Sequence, residues 1–157
     1  MAPTPTLTFV LMDPPYENAR TTTALRLLDI AARRGYNLNV FAYEGAVYVP
    51  FSKQAPHPNA VHGRDLAQED HPNPKDWVEA IIAEAKRQGG TVDWVQCGLC
   101  VDERGAAESI PGLHRGSPAH ALASGASPDM ENVEVALPHD RRGAGVRTSG
   151  PDIQSCR

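Results

Sequence analysis

The sequence contains no long hydrophobic run. None of its apolar stretches reaches the roughly eighteen residues that a transmembrane helix requires. The segment from Met1 to Thr6 carries no basic group ahead of the first short apolar stretch, so it does not resemble a secretion signal. We therefore expect a protein without a membrane span, located in the reducing cytoplasm.

Excess positive charge is also missing. The 15 lysines and arginines are outnumbered by 19 acidic residues, which gives a formal net charge of -4 and leaves no basic block that would follow a phosphate backbone. No G-x-G-x-x-G motif follows the first predicted strand, which argues against a dinucleotide enzyme. We expect no direct nucleic-acid ligand and no cofactor.

Cysteine is scarce, with three residues in a chain of 157. That number is too small for a disulfide framework, and a chain of this length can bury a hydrophobic core without covalent links. Cys156 lies near the end of a segment without hydrophobic periodicity, so we interpret it as an incidental thiol. Cys97 and Cys100 form a C-x-x-C pair, a spacing that suits a disulfide, half of a metal site, or a nucleophile with a resolving partner.

Alternating strand and helix patterns predict an α/β fold with a parallel sheet. Short apolar runs predict buried strands at 7–12, 38–43 and 91–96. Helical spacing of apolar residues predicts helices at 21–34 and 74–88, the second with Asn73 as N-cap and Pro74 in its first turn. Gly45 directly follows the second strand and predicts a tight turn, in a region where ligands bind in open parallel sheets.

The remaining segments are predicted to be less regular. Prolines and charges at 51–74 predict a long mobile lid, and 106–113 is expected to be irregular or helical. Short helical turns are expected at 118–124 and a last strand at 131–137. The interpretation is one domain over 1–138 and a disordered tail over 139–157. His57, His62 and His71 could complete a zinc site with the cysteine pair, but their spacing matches no common motif, so no metal is predicted.

Cys97 is expected where a buried strand leaves the sheet, because the apolar run before it breaks at Gly98. A thiolate is the reactive form of cysteine, and the first amides of a helix over 99–104 would stabilise one at this position. Cys100 lies one helical turn later. The alternative for both residues is that they are small buried hydrophobes that only pack.

In this order of elements the sequence resembles the DsrE/DsrF family of small sulfur-relay proteins, and within it the TusD-like subunits of a tRNA thiolation relay. The features that carry the resemblance are the proline turn with tyrosine at 13–16, the helix with its closing glycine, the run 40–48, and a cysteine at the end of the next strand followed by Arg104 and Gly105. The second cysteine, Cys100, departs from the TusD-like pattern. The loop at 51–74 and the segment after Pro138 are also longer and more polar than in that pattern.

The resemblance implies a three-layer α/β sandwich, flavodoxin-like in outline, with a mostly parallel sheet of about five strands. It also implies homo- or hetero-oligomers and sulfur-donor and sulfur-acceptor partners with reactive cysteines. The family's persulfide-carrying cysteine corresponds to Cys97. Arg104 and Tyr16 are candidates for stabilising an anionic persulfide, and Cys100 is the second candidate catalytic thiol.

Three functions remain open from the residues. The first is a persulfide carrier or sulfurtransferase that acts through Cys97, and the second is a thiol-disulfide oxidoreductase that uses both cysteines. The third is a noncatalytic assembly subunit whose cysteines bind zinc or pack. The first is favoured because the C-x-x-C motif follows the third predicted strand, whereas a thioredoxin-like motif follows the first strand of its βαβ unit.

Overall fold

The computed structural model describes residues 4–55, 72–117 and 119. Its regular elements are β1 (Thr6–Leu11), α1 (Ala19–Arg33), β2 (Asn37–Ala42), a 3₁₀ helix (Glu44–Tyr48), α2 (Pro74–Arg87), β3 (Val92–Cys97), α3 (Gly98–Arg104) and β4 (His114–Gly116). The helices and strands predicted between residues 7 and 104 are all present, with ends that differ by one or two residues.

The strands form a parallel sheet in the order β1-β2-β3-β4. Phe9, Val40 and Trp94 lie in one row across the first three strands. This confirms the predicted α/β class with a parallel sheet. The part of the chain that the structure describes contributes four strands, close to the predicted five.

Both long helices pack on the same face of the sheet. Their apolar faces join the large core cluster, whose fully buried members include Leu28 of α1, Ile81 of α2 and Trp94 of β3. A smaller cluster lies on the opposite face and combines sheet residues with residues of the 3₁₀ helix and α3; its buried members are Phe41, Val47, Val95, Cys97, Cys100, Val101 and Ala106. Side chains alternate between faces along a strand, so Cys97 falls on the opposite face from Trp94.

An asparagine occupies the N-cap position of each of the two long helices. The side chain of Asn18 accepts a hydrogen bond of 2.8 Å from the backbone N–H of Arg20 and so caps α1. Asn73 occupies the N-cap position of α2, but its side chain binds Asp76 and Tyr16 and makes no capping hydrogen bond. The predicted N-cap position of Asn73 is therefore confirmed, while neighbouring side chains take up its amide in place of a capping hydrogen bond.

The connection after β2 is a 3₁₀ helix that begins at Glu44, a residue with a positive φ of 50°. The backbone N–H of Ala46 donates to the carbonyl of Met12 at 3.0 Å, which ties this helix to the end of β1. A Cβ on Gly45 would lie 2.6 Å from a ring carbon of Pro14. The turn predicted at Gly45 is present, and the absence of a side chain lets the two connections touch.

The segment after α3 contains a strand that the sequence analysis did not predict. Residues 106–113 are irregular, and Ser109 bridges to Phe51 while the N–H of Ile110 donates to the carbonyl of Pro50. These contacts hold the segment so that β4 pairs with β3, placing Gly116 opposite Cys97. β4 was missed because it is too short and too polar to produce a strand pattern.

Some of the predicted features lie outside the described residues. They are the central part of the lid at 51–74, the helical turns at 118–124, the strand at 131–137, the tail at 139–157, the three lid histidines and Cys156. Within the described residues, no helix is long and apolar enough to cross a membrane.

Candidate active site

Cys97 is the last residue of β3, an interior strand that is paired with β2 on one side and β4 on the other. This is the position that the sequence predicted. The residue exposes 4% of its surface, and Val95 and Phe41 belong to the same buried cluster. The strand therefore holds the thiol at a fixed point at the carboxyl edge of the sheet.

α3 starts directly after this thiol. Cys97 is its N-cap residue, but the side chain makes no capping hydrogen bond with the first turn. The expectation that these amides hold the sulfur of Cys97 is therefore not met. The helix ends at Gly105, whose φ of 63° is the left-handed conformation that glycine adopts without strain.

Cys100 is also buried and belongs to the same buried cluster as Cys97. Both cysteines are free thiols. Their spacing of three residues places both side chains on one side of the first turn of α3. Leu99, between them in sequence, instead points outward with 70% of its surface exposed. The structure thus brings together the two residues that were predicted as catalytic.

The pKa of the Cys100 thiol is raised above its ordinary value of 9.0. Burial is the largest cause, because it disfavours the charged thiolate, and the neighbouring Cys97 thiol acts in the same direction. The backbone N–H of Glu44 lowers the pKa, while the Glu44 carboxylate raises it. Cys100 is therefore protonated at neutral pH.

Arg104 forms ion pairs with two acidic side chains. Its guanidinium binds the carboxylate of Glu44 and lies 3.5 Å from that of Glu103. The hydroxyl of Tyr48 donates to the backbone carbonyl of Arg104, so the 3₁₀ helix is bonded to the last turn of α3. The predicted role of Arg104 in holding a persulfide therefore has a competitor, the Glu44 carboxylate.

Tyr16 lies on the connection after β1, a strand that is separated from β3 by β2. Its φ is 72°, its surface is 43% exposed, and its hydroxyl donates to the side-chain oxygen of Asn73 at 3.4 Å. The structure thus places Tyr16 at the start of α2, whereas Arg104 is on the helix that carries Cys100.

Two charged residues near the thiols were not singled out by the sequence. Glu44 was covered only as part of the segment after β2, where ligands tend to bind. Arg115 belongs to the unpredicted β4, and its guanidinium binds the carbonyl of Gly98 at 3.1 Å and the carboxylate of Asp102 at 2.6 Å. The Asp102 carboxylate therefore faces Arg115 at the helix surface, and the Glu103 carboxylate faces Arg104.

A metal site has no support in this region. Among residues 4–55 and 72–117, no three histidine, cysteine or acidic side chains are grouped so that they could hold a metal ion. In the described part of the chain the cysteine pair therefore belongs to no such group. Its chemistry is instead that of two neighbouring thiols, one of which is kept protonated.

The fold and site define a small α/β protein with a thiol pair at the carboxyl edge of a parallel sheet. A sequence model of the DsrE/DsrF-like family matches residues 6–124, and the chain belongs to this family. The family is associated with intracellular sulfur relay. A search of curated proteins found no match.

Solved structures that are similar to the chain include the following two. The ychN protein from E. coli is 20% identical, with a TM-score of 0.61 over 83% of this chain and 98% of that chain. A conserved protein of unknown function, BT1422 from Bacteroides thetaiotaomicron, is 13% identical, with a TM-score of 0.49 over 83% of this chain and 94% of that chain. The likeness to the ychN protein supports the fold.

Proposed function

We propose that the protein is a persulfide carrier that accepts sulfane sulfur on Cys97 and passes it to the thiol of a partner protein. The observation that carries the proposal is the position of Cys97 at the end of an interior strand in a DsrE/DsrF-like chain, beside a second thiol that is protonated. The pathway is tRNA thiolation or sulfur oxidation, in the cytoplasm, with the chain part of a homo- or hetero-oligomer.

The transfer needs no cofactor. The Cys97 thiolate attacks the outer sulfur of a donor persulfide, a new S–S bond forms, the donor's S–S bond breaks, and the donor leaves as a thiolate. In the second step a partner thiolate attacks the outer sulfur on Cys97, and Cys97 leaves as a thiolate. Each step moves one sulfur atom with no net oxidation, so the protein supplies only position and ionisation.

The two cysteines are not equivalent in this scheme. Burial and the Glu44 carboxylate disfavour the thiolate of Cys100, and a protonated thiol is a poor nucleophile. Cys97, at the strand end, is the residue that the family resemblance assigns as the sulfur acceptor. Because Cys97 exposes 4% of its surface, a donor reaches it by displacing neighbouring side chains.

A thiol-disulfide oxidoreductase is the second candidate, because the two free thiols lie in the same buried cluster. Formation of a Cys97–Cys100 disulfide removes two electrons and two protons, which an external disulfide would accept. The raised pKa of Cys100 disfavours this function, because the exchange that closes the disulfide needs its thiolate.

Intact mass under nonreducing conditions separates the candidates. After incubation with a small persulfide donor, a gain of one sulfur atom supports the carrier. Loss of two hydrogen atoms supports the oxidoreductase, and a retained metal ion supports the assembly subunit. Leu99→Ser is a matched control, because this neighbouring side chain is exposed and its replacement should leave sulfur loading unchanged.

A further inference from the structure

Cys97 is the reacting sulfur of the proposed function, and the closed structure covers it almost completely. The residue is buried at the point where β3 ends and α3 begins. Its neighbours in the buried cluster are side chains of the sheet, of the 3₁₀ helix and of α3, the last being Cys100 and Val101. A reagent therefore reaches the thiol only after one of these elements has moved.

Among these elements, α3 is the one that can move as a unit. The strands are held by their pairing, and the 3₁₀ helix is tied to the end of β1 by the hydrogen bond from Ala46 to Met12. α3 spans seven residues, from Gly98 to the C-cap Gly105, and its helical hydrogen bonds are internal to it. Its position against the sheet therefore depends on contacts made by side chains.

The guanidinium of Arg115 makes such a contact from β4. Its Nη2 atom donates to the backbone carbonyl of Gly98 at 3.1 Å and to the carboxylate of Asp102 at 2.6 Å. Gly98 and Asp102 are four residues apart, so they lie on the same side of α3. Gly116, the next residue of β4, pairs with Cys97. Arg115 thus joins the strand beside Cys97 to the helix that packs on it.

We propose that these contacts of Arg115 with Gly98 and Asp102 form a latch that holds α3 against β4 and so controls access to Cys97. When the latch breaks, the first turn of α3 moves away from β4 and exposes the thiol. The inference rests on the proposed function in one respect, since it takes Cys97 as the sulfur that a donor has to reach. Arg115 is a positioning residue, because it acts through α3 and not on the transferred sulfur.

The two ends of α3 are held differently. The side chains of Arg115 and Asp102 are 52% and 65% exposed, so water and salt compete with the ion pair between them. At the other end, Arg104 is bound to Glu44, and its carbonyl accepts from the hydroxyl of Tyr48. The latch can therefore open while the last turn of α3 stays on the 3₁₀ helix and the sheet stays folded.

The test is the rate at which iodoacetamide alkylates Cys97 in the folded protein, assigned by peptide mass spectrometry. All proteins carry Cys156→Ser, so that the third thiol does not react. Arg115→Met keeps a long side chain without the charge and the donors, and we expect Cys97 to react about fivefold faster. Loss of a positive charge alone would disfavour the thiolate and slow the reaction, so an acceleration reports opening.

His114→Ala is the matched control for a change in β4. His114 is the residue before Arg115, and its imidazole lies 3.8 Å from the carboxylate of Asp93 in β3. We expect this variant to alkylate at the parent rate. In an Asp102→Asn background, where the ion pair is already absent, Arg115→Met should accelerate the reaction less than it does in the parent.

Urea separates opening of α3 from unfolding of the whole protein. A local opening exposes little surface, so the Cys97 rate should stay constant over low urea concentrations, whereas labelling through global unfolding rises with urea from the start. If Arg115→Met does not fold, Arg115→Lys takes its place. Lysine keeps the charge but lacks the planar fork of arginine, and it should give a smaller acceleration.

A Cys97 rate in Arg115→Met equal to the parent rate, or a rate that rises with urea as global unfolding does, would overturn the inference. No sulfur is used in this experiment, so its result is independent of loading. A protein that shows the acceleration but gains no sulfur from a donor would refute the carrier function and leave the latch in place.

Discussion

The carboxylate of Glu44 binds the guanidinium of Arg104, a residue 60 positions later in the chain. This ion pair joins the connection after β2 to the last turn of the helix that carries Cys100. The Glu44 backbone N–H and carboxylate both act on the Cys100 thiol. Arg104 therefore affects the site by neutralising Glu44, whether or not it also contacts a persulfide.

Arg104→Ala should shorten the lifetime of the loaded persulfide by about fivefold, which corresponds to about 1 kcal/mol. The reason is that an unpaired Glu44 carboxylate repels an anionic persulfide. In a Glu44→Gln background, where no charge is left to neutralise, Arg104→Ala should have little further effect. The measurement is the decay of the mass species with one extra sulfur after the donor is removed.

The double-mutant cycle decides between the two roles of Arg104. If the guanidinium contacts the persulfide directly, its removal shortens the lifetime equally with Glu or Gln at position 44. The neighbouring acid Glu103, which lies 3.5 Å from the same guanidinium, serves as the control. Glu103→Gln leaves the ion pair between Glu44 and Arg104 intact and should change the lifetime little.

Gly45→Ala should destabilise the protein by about 1–3 kcal/mol, as overpacking of a tight contact does. The added Cβ would lie within 2.9 Å of three ring carbons of Pro14. Urea unfolding measures the loss. Gly98→Ala is the control, since a Cβ there meets its nearest atom, on the Arg115 side chain, at 3.6 Å, and its unfolding free energy should change by less than about 1 kcal/mol.

The sequence was sufficient to predict the strands and α-helices up to Arg104, because each has a strong local signal, whereas the 3₁₀ helix Glu44–Tyr48 was predicted only as a turn. Alternation and β-branched residues mark the strands, and helical spacing with Pro74 and Gly35 marks the helices and their ends. β4 has no such signal: its three residues include His114 and Arg115, and it is formed by contacts with distant segments at Pro50 and Phe51. Tertiary pairing of this kind leaves no periodicity to detect.

The site was predictable to a similar extent. The position of Cys97 followed from the end of an apolar run, and the contact with Cys100 from their spacing. The part played by Glu44 depends on an uncommon backbone conformation and on a contact between residues far apart in sequence, which spacing does not encode. The orientation of the Asp102 and Glu103 side chains likewise could not be predicted without the positions of their partners, Arg115 and Arg104.

The raised pKa of Cys100 predicts a loss of stability in alkaline solution. A group whose pKa is higher in the folded state stabilises the fold fully below its unfolded-state pKa, near 9.0, and that contribution is lost as pH rises through the folded-state pKa. The unfolding free energy should therefore fall from about pH 9 upward, by at most about 1.4 kcal/mol per pH unit for this one group.

Cys100→Ser should reduce this alkaline slope, because serine does not ionise in that range. The variant itself has a lower unfolding free energy at neutral pH, since a buried hydroxyl needs a hydrogen-bond partner. Urea unfolding at a series of pH values gives both quantities. Val101→Ala should lower the unfolding free energy at every pH and leave its alkaline slope unchanged. If Cys100→Ser had the same alkaline slope as the parent protein, the prediction would be contradicted.

Cys97→Ser should abolish sulfur loading, whereas Cys100→Ser should leave loading largely intact or prolong the loaded state. Loss of the Cys97 thiolate removes the nucleophile that attacks the donor persulfide. A serine at position 100 removes the thiol that could discharge a persulfide by forming a Cys97–Cys100 disulfide and releasing sulfide. Intact mass after exposure to the donor, followed over time, measures both effects.

Leu99→Ser shows whether a change in this segment by itself affects loading, because Leu99 lies between the cysteines and is exposed. It should load as the parent protein does. If Cys97→Ser still acquires sulfur while Cys100→Ser does not, the roles of the two cysteines are reversed. The sulfur would then rest on the Cys100 thiol, and the low reactivity argued from burial of Cys100 would be wrong.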